Sequence, residues 1–197
     1  MLAVVCGQAI AAEKTRADAF AGRVPFHILV ASSPWVEKLG LGLGALARGE
    51  QEEGERLRSE AFDEAIETPG EWDGRKFLWI ADADGRFGPC LEAIVAGRCG
   101  LIPFEAINAI KSEGPKDLRD VVWLPVQIVL RSGQSAAALI CARYPGTESS
   151  GNSALQLSRQ TVWRDEPFGQ KGLGQRVLFF DDGTEADLLS LRNLAMA

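Results

Sequence analysis

The chain is poor in the residues from which most active sites and metal centres are built. Its 197 residues include one histidine, His27, one tyrosine, Tyr144, and four cysteines. Cys6, Cys90, Cys99 and Cys141 show no CxxC spacing, so the close pairs of a zinc site are not indicated. They read as reduced, structural, buried thiols, the usage of a cytosolic protein. His27 has no nucleophile motif around any serine or cysteine with which to form a triad, and reads as a partly buried connector residue. Runs of Lys and Arg are missing and the formal net charge is −6. That argues against nucleic acid or an anionic membrane as partner, since both demand a concentrated basic surface. No stretch approaches the roughly 20 apolar residues of a membrane span. The opening MLAVVCGQAIAA has no basic n-region, and Val5 is too large for the position before a lipoprotein cysteine, so no export signal is read. Two glycine clusters fail as nucleotide loops. Gly40, Gly42 and Gly44 follow no strand, and residues 169–174 lack Walker spacing and read as a mobile surface loop. No cofactor is implied.

What the chain does have is 46% hydrophobic content and clear punctuation, enough for one domain or two small ones. Residues 8–21 read as a helix stopped at Gly22, and residues 1–7 share its composition. Ser33-Pro34 opens a second helix, with serine at the cap and proline at the first turn. Val36, Leu39, Leu43 and Leu46 share one face of it. Gly49 links it to a third helix over 50–66, whose early glutamates suit the positive end of its dipole. The two form an antiparallel hairpin of TPR-like shape.

Residues 72–104 are the densest stretch. Asp73-Gly74 is a type I′ hairpin signal, Phe77 to Ile80 an apolar strand, and 82–85 an acidic turn. Pro89 then reads as a helix start, with Leu91, Ile94 and Val95 on the apolar face and Gly97 as its cap. Beyond lie short strands at 101–104, 108–112, 121–124, 127–130, 136–142, 161–163, 177–180 and near 186–191. Pro125 confines its strand to an edge or a bend. Ala154 to Arg159 reads as one or two helical turns. The expectation is an α+β fold, with incomplete TPR-like helices over 1–67 and an α+β part with a fragmented, mostly antiparallel sheet over 68–197.

Asp82 and Asp84 are alternate carboxylates that could share a divalent cation, or could bond the turn backbone and cap the following helix. Trp35, Trp72, Trp79, Trp123 and Trp163 are explained mostly by core packing, with one or two available to anchor a partner helix at a groove. Arg119, Arg143 and Arg176 are expected to pair locally with acids. No catalytic constellation emerges.

Several phrases together carry a resemblance: FLWIADAD from Phe77, Gly88-Pro89 with LEAI from Leu91, and IPFE from Ile102. DLRD from Asp117, VWLP from Val122, RYPGTE from Arg143 and GLGQR from Gly172 continue it. In this order they resemble the ImpE/TagJ family of type VI secretion accessory proteins, from about residue 8 to the end. The resemblance implies a helical part, an α+β part and no catalysis. It also implies a cytoplasmic protein partner, the small contractile-sheath subunit, bound through that subunit's N-terminal helix. Trp79, Asp82, Asp84, Arg119, Trp123, Tyr144 and Arg176 are the residues expected at that partner surface. Family members carry further helices before the segment matching 8–21, so the chain reads as N-terminally shortened. Its first helix is then expected to expose an apolar face and to invite dimerisation. The rival expectations are a metal-dependent hydrolase using Asp82 and Asp84 with Glu105 or Asp120, and a folded remnant that binds nothing.

Overall fold

The computed structural model of the chain describes residues 2–30, 33–167 and 169–197. Three helices lead: α1 (Leu2–Phe20), α2 (Pro34–Ala47) and α3 (Gln51–Glu64). Gly22 and Gly49, at φ 71° and 80°, end α1 and α2 in the left-handed region that a side chain disfavours. Ser33 takes the extended cap position of α2 without a side-chain cap bond, leaving the stop on the preceding chain to Pro34. α2 and α3 run antiparallel, since Lys38 pairs with Glu64 while Gly42 lies against Gly54. A Cβ on Gly54 would approach the Leu46 side chain to 2.6 Å, so glycine sets how closely the helices meet.

Strands follow: β1 (Gly70–Trp72), β2 (Arg75–Phe77), β3 (Ile80–Asp82), β4 (Cys90–Val95), β5 (Arg98–Pro103), β6 (Ile107–Lys111), β7 (Trp123–Leu130) and β8 (Ser135–Cys141). A short helix α4 (Ser153–Gln156) precedes β9 (Thr161–Glu166), β10 (Gly169–Gly174), β11 (Val177–Phe180), β12 (Glu185–Asp187) and β13 (Asn193–Met196). Eight strands form the main sheet in the order β2-β1-β13-β6-β7-β8-β4-β5, with a three-stranded sheet β12-β11-β3 and a hairpin β10-β9 beside it. All ladders between these strands are antiparallel. The class is α+β, helices first and a fragmented sheet after.

The main sheet is covered on both faces, which fixes where its charges must go. Leu91 and Ala93 of β4 join the large core with Ile102, Leu124, Ile140 and Phe180. Successive strand residues point to opposite faces, so Cys90, Glu92 and Ile94 look the other way, towards the helices. There Ala9 and Ala12 of α1 meet Ile94, Cys99 and Cys141, and Trp35, Val36, Leu39 and Leu43 of α2 meet Phe87, Cys90, Leu101 and Tyr144. Among the described side chains of α1, Ala9 and Ala12 thus face the sheet while Ile10 is 52% exposed.

Several expectations need correction. Residues 90–95 are strand β4 rather than a helix after Pro89. Burial on both faces removed the polar alternation that marks a strand, and a short apolar run cannot be told from a helix by period. Gly97, at φ 77°, turns the β4–β5 hairpin instead of capping a helix. The run Phe77 to Ile80 is broken at the exposed Leu78, where the chain leaves the main sheet for the three-stranded one. Residues 169–174 are a paired strand, β10, not a loop. The segment after Asp182-Gly183 divides into β12, a single 3-10 turn and β13. His27 is exposed rather than partly buried. Pro125 lies in β7, between two strands, yet β6 pairs only as far as Gln127. At Pro125 the missing N–H costs nothing because one side is already open, where Ser112 Oγ donates to its carbonyl at 3.3 Å.

Candidate functional site

The polar centre of the molecule sits where the helices, the main sheet and the three-stranded sheet meet. It is built from Arg16, Asp82, Asp84, Arg86, Glu92 and Arg176, each no more than 7% exposed. Glu92 enters it because β4 points every second residue at α1. Arg16 enters because it follows Ala9 and Ala12 on the buried stripe of α1 at three- and four-residue spacing. The guanidinium of Arg16 donates from Nε to Glu92 Oε1 at 2.9 Å and from an Nη to Oε2 at 2.8 Å. It also reaches the Arg143 carbonyl at 2.9 Å and Glu13 at 2.7 Å. Arg176 bridges the remaining acids, donating to Glu92 Oε2 at 2.7 Å and to Asp82 Oδ2.

Asp82 and Asp84 hold a tight turn. Asp82 Oδ1 accepts from the Asp84 amide at 2.9 Å and from the Tyr144 hydroxyl at 2.9 Å. Asp84 Oδ1 accepts from the Arg86 amide and Nε at 3.0 and 2.8 Å, and its Oδ2 from Arg86 Nη2 and the Gly172 amide at 2.6 and 2.8 Å. Aromatic faces line the charges, with the Arg176 guanidinium 4.5 Å from the Phe87 ring centre and 5.1 Å from that of Tyr144. Gly172 is needed at this point because a Cβ there would fall 2.3 Å from the Tyr144 ring. The glycines of 169–174 therefore serve close packing, not nucleotide binding.

Three acids balance three arginines, so each buried charge is compensated, as low-dielectric surroundings require. Burial works against ionised Glu92, yet Arg16 and Arg176 hold it below the usual carboxyl range. Burial prevails at Asp82 and pushes it up to about 6 against the pull of Arg176. Burial also raises the Tyr144 hydroxyl, with the negative Asp82 adding to it. Such an arrangement clamps; it offers no free nucleophile. A hydrolase on Asp82 and Asp84 would need both carboxylates open to a cation and water. All four acceptor positions of Asp84 are occupied, while Glu105 accepts from Trp35 Nε1 at 3.2 Å and Asp120 from the Lys116 amide at 2.9 Å.

The seven residues expected at a partner surface fall into two groups. Asp82, Asp84, Tyr144 and Arg176 come together in the clamp, none more than 5% exposed. Trp79, Arg119 and Trp123 are half-buried and lie elsewhere. Trp79 packs on Phe179, with ring centres 5.6 Å apart. Arg119 pairs with Asp117 and Asp120 at 2.8 and 3.3 Å. Trp123 donates from Nε1 to Glu13 of α1 at 3.0 Å. Local pairing thus describes Arg119, while Arg176 reaches 84 and 94 residues along the chain. Sequence reading missed Arg16, Arg86 and Glu92. The signal for Glu92 was a lone acid inside the apolar run Cys-Leu-Glu-Ala-Ile-Val.

Among the described residues two clefts of apolar character open on the surface, one of about 510 Å³ beside Phe77, Leu78 and Met196 and one of about 360 Å³. Leu29, Val30, Val95, Ile102, Ile128 and Leu130 line the second, at the far end of the same β4 that carries Glu92. No helix among the described residues is long and apolar enough to cross a membrane.

The fold is thus an antiparallel sheet clamped to a leading helical segment by buried charge. The chain belongs to the ImpE protein family, whose model matches residues 74–195. It is 41% identical over 188 residues to the type VI secretion system accessory component TagJ of Pseudomonas aeruginosa. That match covers 94% of this chain and 65% of the relative, so the chain spans about two thirds of its length. A crystal structure of a Vibrio parahaemolyticus protein superposes with a TM-score of 0.84 over 96% of this chain and 71% of that one. At 20% identity it supports the fold alone.

Proposed function

We propose that the chain is a non-enzymatic, cytoplasmic adaptor of a bacterial type VI secretion system, and that it receives the N-terminal helix of the small contractile-sheath subunit. The observation that carries the reading is the 41% identity to an accessory component of that system across nearly the whole chain. The geometry is compatible with it. The buried charges clamp the scaffold, and the cleft at Val95, Ile128 and Leu130 presents the apolar strip on which one face of an amphipathic helix docks. Trp79, Arg119 and Trp123 lie outside the residues lining that cleft.

Calorimetric titration with a synthetic peptide of the sheath helix tests the reading. Saturable micromolar binding is expected, with at least a tenfold loss, about 1.4 kcal/mol, in Val95→Asp. Trp79→Ala is expected to bind as the parent does. No heat from a demonstrably folded chain would sink the adaptor reading and favour a remnant. Loss in Trp79→Ala with Val95→Asp unaffected would move the site to the three-stranded sheet.

A further inference from the structure

Cys99 and Cys141 face the helices from strands β5 and β8, on either side of β4. Their sulfurs are 4.0 Å apart, and Cys99 Sγ is 3.9 Å from Glu92 Oε1. One ligand atom from each of Glu92, Cys99 and Cys141 lies within 4.8 Å of the others, and all three residues are buried. The two thiols cannot settle as a disulfide here. With β4 between them their backbones stand two strand spacings apart, about 9.5 Å, beyond the 7 Å or so that a disulfide spans.

We propose that Cys99, Cys141 and Glu92 form a buried three-ligand site for a thiophilic divalent cation of the zinc class. Sulfurs 4.0 Å apart, each about 2.3 Å from zinc, subtend roughly 120° at the metal, an angle that three- and four-coordinate zinc accepts. Glu92 is already oriented for the task. Its Oε2 takes Arg16 and Arg176, and its Oε1 takes Arg16 Nε while leaving one lone pair on the side of Cys99. Such hydrogen bonds are the outer support that carboxylate ligands have in metal sites. The two positive charges of the cation balance the two thiolates, so the arginine–carboxylate balance around Glu92 is unchanged. On binding, the metal takes the place of the Cys99 proton, and both thiol protons leave to solvent. A void of about 10 Å³ bordered by Cys99, Glu92, Arg16 and His27 marks the approach, between α1 and the chain at His27. The pattern escaped the sequence because its members are 7 and 42 residues apart and become neighbours only through the sheet.

The test uses the whole chain, reduced and stripped of metal, with zinc and cadmium as probes. About one metal per chain is expected, with ultraviolet charge-transfer absorption from two cadmium–thiolate bonds and an upward shift in Tm with zinc. Cys99→Ala and Cys141→Ala should each lose the site, whereas Cys6→Ala, at the half-buried cysteine beside Arg119, should keep it. A folded parent chain showing no cadmium–thiolate absorption at metal excess overturns the proposal without recourse to any variant. So does metal retained by Cys99→Ala, or lost by Cys6→Ala.

Discussion

Two regions of this molecule are dense in arginine–carboxylate pairs, and they mean opposite things. On α3, Arg56 bonds Glu53 at 2.7 Å and Glu60 at 2.5 Å, and its side chain is 53% exposed. In the clamp, Arg176 bonds Asp82 and Glu92 with its side chain at 0% exposure. The distances do not separate the two; the surroundings do. Water already solvates the α3 charges, so pairing them gains little. The clamp charges have lost that water, and each depends on its partners for compensation. Buried pairs of this kind specify geometry, because helix, strand and turn must all arrive in register before the charges balance.

The contrast is open to attack by substitution. Arg176→Met should have the largest effect, about 3–5 kcal/mol in urea unfolding, because it leaves Asp82 without its arginine and strips Glu92 of one. A loss below about 1 kcal/mol would mean that water reaches the clamp and would erase the contrast. Gly172→Ala comes next, at about 1–3 kcal/mol, since the new methyl group drives into the Tyr144 ring. Acidity separates the clamp carboxylates from those on α3. The folded form binds a proton at Asp82 more tightly than the unfolded chain does. Stability from this group is therefore fully present below the ordinary carboxyl range and is lost as pH rises through about 6. Measured against Asp82→Asn, the parent chain should gain stability as pH falls from 7 to 5. A constant gap across that range would show that Arg176 outweighs burial. The smallest effect belongs to Arg56→Ala, whose urea midpoint should match the parent, with no dependence on salt beyond that of the parent.

Legibility followed the range of the interactions. The helices α2 and α3 and the turn at Asp73-Gly74 could be read because proline, glycine and aspartate act on their immediate neighbours. Strand β4 could not, because cover on both faces made Cys90 to Val95 look like a short helix. The helix that the Asp82–Asp84 turn was expected to cap is strand β4, but the turn does bond its own backbone and was visible as an acidic turn. Its arginine was not, since Arg176 lies far along the chain and a buried arginine has no local mark. Gly172 shows the same limit in reverse. A glycine cluster suggests a loop, yet the residue that demands it, Tyr144, stands 28 positions earlier.

The tie between Arg16 and Glu92 spans 76 residues, and this sets a timetable for synthesis. On a ribosome adding about 5–20 residues per second, α1 exists for roughly 4–15 seconds before the buried carboxylate that Arg16 grips with two bonds is made. Arg176, which completes the balance, comes later still. Through that interval the inward side of α1 has alanines and an arginine matched only by Glu13 of its own helix. A segment made early is therefore locked late, and the clamp closes only when β11 is about to be added.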